Sequence, residues 1–166
     1  MSSSEDNVAL RRTVDAPADT VFAILADPTT HQAIDGTGWV REPLNGTSIA
    51  GVGQIFRMAM YFDNPNEDDN HYEVANRVTA FDPPRAIAWQ TGQGADDANL
   101  EFGGWFWRYD LEPVADDRTT VTLTYDWSAV PQAIREQISF PPFELSHLDN
   151  SLRHLAELAV ARRAVP

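Results

Sequence analysis

Alternation of apolar and polar residues at a period of two dominates the chain between residues 38 and 128. It recurs in six segments that are separated by short, turn-like stretches. The clearest is "TTVTLTYDWS" (119–128), in which Val121, Leu123, Tyr125 and Trp127 alternate with threonines and an aspartate. Side chains two apart on a strand share one face. Six such strands with hairpin-length connections predict an antiparallel sheet.

Helical patterns stand on either side of this run. A first strand, "NVALRRTVDA" (7–16), is followed by a helix over 17–28 and a short helical turn over 29–34. The last helix is predicted over 144–163, and its apolar residues recur at spacings of three and four. They are Leu145, Leu148, Leu152, Leu155 and Ala159. The predicted order is strand, helix pair, six strands and long helix.

The segment "GGWFWRYDLEP" (103–113) gives one face of the predicted sheet an aromatic character, because Trp105, Trp107 and Tyr109 fall on the same side. A single helix about 10–12 Å across cannot cover seven strands spaced about 4.8 Å apart. The uncovered part of this face favours a cavity over a filled core. For any single tryptophan, packing in the core is an alternative. The candidate ligand-binding residues are Met58, Met60, Tyr72, Asn76, Trp89, Trp105, Trp107, Tyr109, Tyr125 and Trp127.

Two arginines test the register of this prediction. Arg57 and Arg108 fall on the polar face of the sheet, and a slip of one residue would turn them inward. Asn76 is the exceptional polar residue on the apolar face. A buried amide needs hydrogen-bond partners, so Asn76 either anchors a ligand or bonds to neighbouring protein groups or water.

The charge balance excludes several functions. The chain has 12 basic and 25 acidic residues, a net charge of -13, and all of the basic residues are arginine. The lack of lysine rules out Schiff-base catalysis and a Walker-type phosphate site. Such an acidic surface is repelled by nucleic acids and by anionic lipids. We expect no nucleic-acid partner and no membrane insertion.

Metal and cofactor chemistry finds little support in the sequence. Cysteine is absent. His147 and His154 are seven residues apart, hence about 10.5 Å along a helix axis, which is too far to share one metal ion. The acidic loop at 63–70 lacks the spacing of a calcium loop and is predicted to be a hairpin connection. We therefore expect no metal and no cofactor. The polar N-terminus has no secretory signal, which favours a cytoplasmic location.

Several segments together resemble the START-like (SRPBCC) superfamily, and within it the polyketide cyclase/dehydrase and lipid-transport group. They are "VDAPADTVFAILADPTTHQAI", "GTGWVREP", "VGQIFRM", "RVTAFDPPRAIAWQT" with its Phe81–Arg85 turn, "TTVTLTYDWS" and "LDNSLRHLAEL". The resemblance extends from about Val8 to Leu158. It implies an α+β helix-grip fold, in which a curved seven-stranded antiparallel sheet wraps around a long C-terminal helix. The length of the chain and the lack of an internal repeat or linker predict one domain over residues 1–166.

Three functions are compatible with this resemblance, because a fold does not fix a chemistry. The first is binding of a hydrophobic or aromatic small molecule, lipid-like or polyketide-like, between sheet and helix. The second is an aromatase/cyclase-type enzyme, which needs convergent polar groups deep in the cavity. The third is a protein-binding co-regulator module, which needs an apolar patch on the outer face of the sheet. The polar outer face favours binding of a small molecule. Catalytic residues are not assigned, and a homodimer stays open.

Overall fold

The computed structural model describes residues 6–62, 65 and 69–163. Most of the loop predicted to be a hairpin connection at 63–70 lies outside the described residues. The described residues form seven strands: β1 (Asn7–Val14), β2 (Val40–Pro43), β3 (Ile55–Tyr61), β4 (His71–Asp82), β5 (Ala86–Gln93), β6 (Glu101–Ala115) and β7 (Arg118–Asp126). The helices are α1 (Ala18–Leu25), α2 (His31–Ile34), α3 (Gln132–Arg135) and α4 (Ser146–Arg163).

The strands of the described region form one sheet in the order β1-β7-β6-β5-β4-β3-β2, and every neighbouring pair is antiparallel. Strands β2 to β7 follow one another as hairpins, whereas β1 returns to pair with β7. The α+β class, the seven-stranded sheet and the long C-terminal helix are thus confirmed. Register shifts interrupt four of the pairs, and such bulges bend a sheet.

Helix α4 covers one end of the sheet with an apolar stripe. Leu148, Leu152, Leu155 and Ala159 are almost fully buried, as the spacing predicts. The fifth predicted member, Leu145, is 53% exposed. It precedes the first residue of α4, so the helical period does not place its side chain on the stripe.

The inner face of the sheet changes character along the strands. At one end, aliphatic residues such as Val78, Val121 and Leu123 form a dry core with α1 and α4. At the other end the same strands carry Asn76 and Tyr125, where the covering helix no longer fills the space. The cavity described below therefore lies at this second end of the strands, where the inward side chains are large and aromatic or polar.

The register is the predicted one. Arg57 lies on the outer face, where its guanidinium donates to Asp97 Oδ1 (2.6 Å) and to the carbonyl of Gly94 (2.8 Å). Arg108 Nε donates to the carboxylate of Asp110 at 2.9 Å. Both arginines are absent from the described residues that line the cavity. Within the described residues, no helix is both long enough and apolar enough to cross a membrane.

Candidate functional site

A cavity of about 620 Å³ lies between the concave face of the sheet, α2, the start of α4 and the segment that joins β7 to α4. Nine of the ten predicted ligand-binding residues line it: Met58, Met60, Tyr72, Asn76, Trp89, Trp105, Trp107, Tyr109 and Tyr125. The tenth, Trp127, is not on the wall. It lies just beyond the end of β7, where its backbone N–H donates to the carbonyl of Asp6. Its ring stacks on Phe140 (6.3 Å between centroids). The period of two places Trp127 on the inner face, as predicted, but its side chain packs against Tyr125 and does not line the cavity.

The aromatic wall is centred on Trp107. Its ring lies 4.5 Å from Tyr125, 5.5 Å from Phe143 and 5.4 Å from His147, measured between centroids. Phe143 belongs to the proline-containing segment before α4, which the sequence marks only as a break between helices. The wall is therefore completed by a residue outside the regular elements.

The two glycines before Trp105 shape this wall. The Trp105 ring lies over Gly103, where any Cβ would overlap it. Gly104 has a φ of 106°, in the region that favours glycine, and packs against the carbonyl of Ala129. Strand β6 bulges here, because Gln90 pairs with Phe106 while Gly92 pairs with Phe102. The glycine pair thus allows a bulge that carries Trp105 to the cavity.

Asp35 supplies a buried carboxylate to the cavity wall. It follows α2, and its side chain is only 5% exposed. Oδ2 accepts hydrogen bonds from the N–H groups of Gly38 (2.7 Å) and Val40 (3.2 Å), and Oδ1 accepts one from Thr37 Oγ1 (3.0 Å). All of these groups are donors, which is the arrangement that an ionised carboxylate requires.

His147 faces Asp35 from the first turn of α4. The residue is 8% exposed, and its Nδ1 lies 3.9 Å from Asp35 Oδ1. This Nδ1 atom is buried without a hydrogen-bond partner. Burial lowers the pKa of His147, while the negative charge of Asp35 opposes that shift. His147 is therefore a neutral imidazole at neutral pH.

His31 is a second neutral imidazole on the wall. Its ring stacks on Trp89 at 5.1 Å, and its Nε2 lies 2.9 Å from the carbonyl oxygen of Leu25. A carbonyl can only accept, so Nε2 carries the proton. Burial lowers the pKa of His31, against smaller opposing effects of Leu25 and Asp27. Nδ1 of His31 is consequently an acceptor.

Tyrosine hydroxyls and one amide complete the polar set. Burial raises the pKa of Tyr72 and of Tyr109, and the charge of Asp35 raises both further. Burial likewise raises the pKa of Tyr125, so all three phenols keep their protons. Asn76 Oδ1 accepts a hydrogen bond from Thr91 Oγ1 at 2.7 Å. Asn76 thus bonds to a neighbouring protein group, which is one of the alternatives given in the sequence analysis.

The polar groups that sequence reasoning missed are His31, Asp35 and His147. They lie in or beside short helices and a helix start, where no period indicates which side chain points inward. Among the described residues, no group of three or more His, Asp or Glu side chains is placed to hold a metal ion.

We predict that stability depends on pH, because His147 is buried, His31 is half-buried and the pKa of each is lowered. An unfolded histidine takes up a proton below about pH 6.5. Because the pKa of folded His31 is lower, the unfolded state binds more protons as the pH falls. The free energy of unfolding then decreases by up to about 1.4 kcal/mol per pH unit for each such histidine.

His31→Gln, which keeps an N–H for the Leu25 carbonyl, should make this decrease shallower. Urea denaturation of both proteins between pH 7 and pH 5 measures the difference. Parallel curves for the two proteins would contradict the neutral state of the half-buried His31.

Comparison with known proteins finds a family that matches most of the chain. Residues 6–159 match the family described as polyketide cyclase/dehydrase and lipid transport. An uncharacterized protein of Mycobacterium tuberculosis is 33% identical over 128 residues, which cover 76% of this chain and 50% of the relative. The chain thus spans about half the length of the curated relatives it matches.

Solved structures share the fold at low sequence identity. A protein of Nitrosomonas europaea has a TM-score of 0.69 at 15% identity, covering 97% of this chain and 98% of its own. A norcoclaurine synthase point mutant of Thalictrum flavum, in complex with a transition-state analogue, has a TM-score of 0.63 at 16% identity, with 95% and 96% covered. Major latex-like protein 151 of Panax ginseng has a TM-score of 0.63 at 12% identity, with 93% and 97% covered. These likenesses show the fold, and the family match over residues 6–159 establishes that the chain belongs to the polyketide cyclase/dehydrase and lipid-transport family.

Proposed function

We propose that this protein binds a hydrophobic, aromatic small molecule in the cavity between the sheet and α4. The observation that carries the proposal is a cavity of about 620 Å³ whose wall is mostly aromatic and apolar, with a few polar groups. Sites for small molecules typically enclose about 300–1,000 Å³ and have this composition. Nine ligand-binding residues are proposed on that basis, namely the nine predicted ones that line the cavity. A homodimer and a cytoplasmic location stay predictions.

The aromatic wall suits a planar ligand better than a flexible chain. Trp107 and Phe143 are stacked within 21° of parallel, and His31 lies within 17° of the plane of Trp89. Aromatic rings pack favourably in offset-stacked or edge-to-face geometry. A ligand with fused or linked rings can continue these contacts without freezing many rotatable bonds, and frozen bonds weaken binding.

A cyclase-type enzyme is the second candidate. The sequence offers few convergent polar groups, but the structure brings His31, Asp35 and His147 to one cavity. Histidines whose pKa is shifted in a cleft, as those of His31 and His147 are, are typical of sites that transfer protons. Such an enzyme would use the same cavity, so binding is the first thing to measure. The outer face of the sheet carries paired charges such as Arg108 with Asp110, which does not favour the co-regulator function.

Binding can be tested with the uncharged fluorescent probe N-phenyl-1-naphthylamine. We expect its fluorescence to rise with saturation when it is titrated with the protein. Val40→Trp places a large ring at the cavity wall, and it should raise the Kd at least tenfold because the ring occupies the space of the probe.

The matched control is Val114→Trp, a strand residue that is 52% exposed and does not line the cavity. It should leave the Kd unchanged. Absence of saturable binding to the wild-type protein would overturn the proposal, as would equal affinities of the wild-type and Val40→Trp proteins.

A further inference from the structure

The charges of the cavity indicate which aromatic ligands it accepts. Of the 12 arginines in the chain, none is among the described residues that line the cavity, and the chain contains no lysine. The acidic residues on the wall are Asp35, which is buried, and Glu101, which is exposed. A ligand carboxylate would therefore enter an apolar space beside Asp35 with no counter-charge. Burial of an unpaired charge is strongly unfavourable, and a like charge nearby makes it worse.

Two histidines on the cavity wall, His147 and His31, each have a ring nitrogen that can accept a hydrogen bond. Nδ1 of His147 is sealed from the cavity and points to Asp35 at 3.9 Å. We assign the proton of the neutral ring to Nδ1, because the nearby negative charge of Asp35 favours an N–H on that side, although 3.9 Å is too long for a hydrogen bond. Since His147 lines the cavity and Nδ1 is sealed, the edge of the ring that carries Nε2, the unprotonated acceptor, is left for a ligand. Nδ1 of His31 is an acceptor for the reason given above.

Backbone packing holds the Asp35–His147 pair in place. A Cβ on Gly36 would lie 2.8 Å from His147 Nδ1 and 2.5 Å from the carbonyl oxygen of His147, so only glycine allows this approach. About two helical turns further along α4, His154 Nδ1 lies 3.1 Å from the carbonyl oxygen of Ile34. The residues on either side of Asp35 are thus fixed against α4, and His147 is held with them.

We infer that the cavity selects uncharged aromatic ligands with a phenol or enol hydroxyl, which donates a hydrogen bond to His147, and rejects aromatic carboxylates. This inference rests on the proposed function and specifies its ligand class. The hydroxyl can also accept, and the phenols of Tyr72 and Tyr109 are donors that lie within the electrostatic reach of Asp35. A hydroxyl thereby finds partners for its proton and for its lone pairs, whereas a carboxylate has only lone pairs to offer.

Three probes of the same ring system separate charge, hydrogen bonding and apolar contact. They are 2-naphthol, 2-naphthoate and 2-methylnaphthalene, and isothermal titration at pH 7 measures their affinities. We expect 2-naphthol to bind at least tenfold more tightly than 2-methylnaphthalene. We expect 2-naphthoate to bind at least tenfold more weakly than 2-methylnaphthalene.

Variants assign the effect to His147. His147→Phe keeps an aromatic ring but removes the acceptor, so the affinity for 2-naphthol should fall to that for 2-methylnaphthalene, which stays the same. His147→Gln, a second variant, keeps a polar group and should lose less. The control is His71→Phe, because the side chain of His71 is 69% exposed and lies outside the cavity; it should change none of the affinities.

The outcomes distinguish this inference from the function on which it rests. Equal binding of the three probes would overturn the selection for hydroxyl groups and leave the binding function standing. Preferential binding of 2-naphthoate would overturn it as well, as would an unchanged preference for 2-naphthol in both His147 variants. Failure of all three probes to bind a protein that does bind N-phenyl-1-naphthylamine would overturn this inference alone, whereas failure of all four compounds would overturn the proposed function as well.

Discussion

Gly104→Ala should lower the free energy of unfolding by about 2–6 kcal/mol. Two effects add at this position. The φ of Gly104 is 106°, and holding a non-glycine residue in such a conformation costs about 1–3 kcal/mol. The new Cβ would also lie 2.6 Å from the carbonyl oxygen of Ala129, and overpacking of this kind costs about 1–3 kcal/mol. Urea denaturation monitored by tryptophan fluorescence measures the change.

Gly51→Ala is the matched control. A Cβ at Gly51 meets no atom within 4 Å, and its φ lies outside the region that favours glycine. We expect this variant to be neutral or up to about 1 kcal/mol more stable, because alanine restricts the unfolded chain. If both glycine variants had the same stability, the backbone strain assigned to Gly104 would be absent.

Leu152→Ala should destabilise the protein by about 2–5 kcal/mol, which is the usual cost of truncating a fully buried leucine. Leu152 is 1% exposed, belongs to the hydrophobic core and is not among the described residues that line the cavity. For a protein of this size, each kcal/mol corresponds to about 2–4 °C in Tm. Thermal and urea denaturation should agree on the order of the effect.

Val160→Ala, on the same helix, provides the comparison, because Val160 is 39% exposed and less apolar surface is lost there. Its cost should stay below about 1 kcal/mol. Leu152→Ala should also leave the binding of N-phenyl-1-naphthylamine nearly unchanged at a temperature where the variant is folded. A Leu152 variant as stable as the Val160 variant would show that α4 is not the cover of the core.

Sequence reasoning reached the sheet and its faces because a period of two survives in every long strand. Tyr109 and Trp107 point to the cavity for the same reason that Leu123 points to the core. The stripe of α4 was predictable from the spacing of Leu148, Leu152 and Leu155. Leu145 was assigned wrongly, because the exact first residue of a helix depends on how the preceding chain enters it.

The chemistry of the cavity was much less predictable. Asp35 and His31 stand in segments too short to show a period, and His147 lies beside the predicted stripe of α4. Their common location depends on how α2 packs against α4, which no local pattern specifies. Trp127 shows a different limit of sequence reasoning. The period of two assigns it to the correct face of the sheet, but it does not tell how far the cavity extends along the strand.

The connection between the first and last parts of the chain has a consequence for the order of folding. Strand β1 pairs with β7, and His154 contacts Ile34 across 120 positions of sequence. Closing so long a loop has a large entropic cost, and contacts of this kind slow folding. The hairpins from β2 to β7 need no such closure, so we expect them to pair before α4 docks. A ligand of the complete cavity would then bind only after α4 has docked. The rate at which the ligand binds during refolding would therefore report the rate of α4 docking.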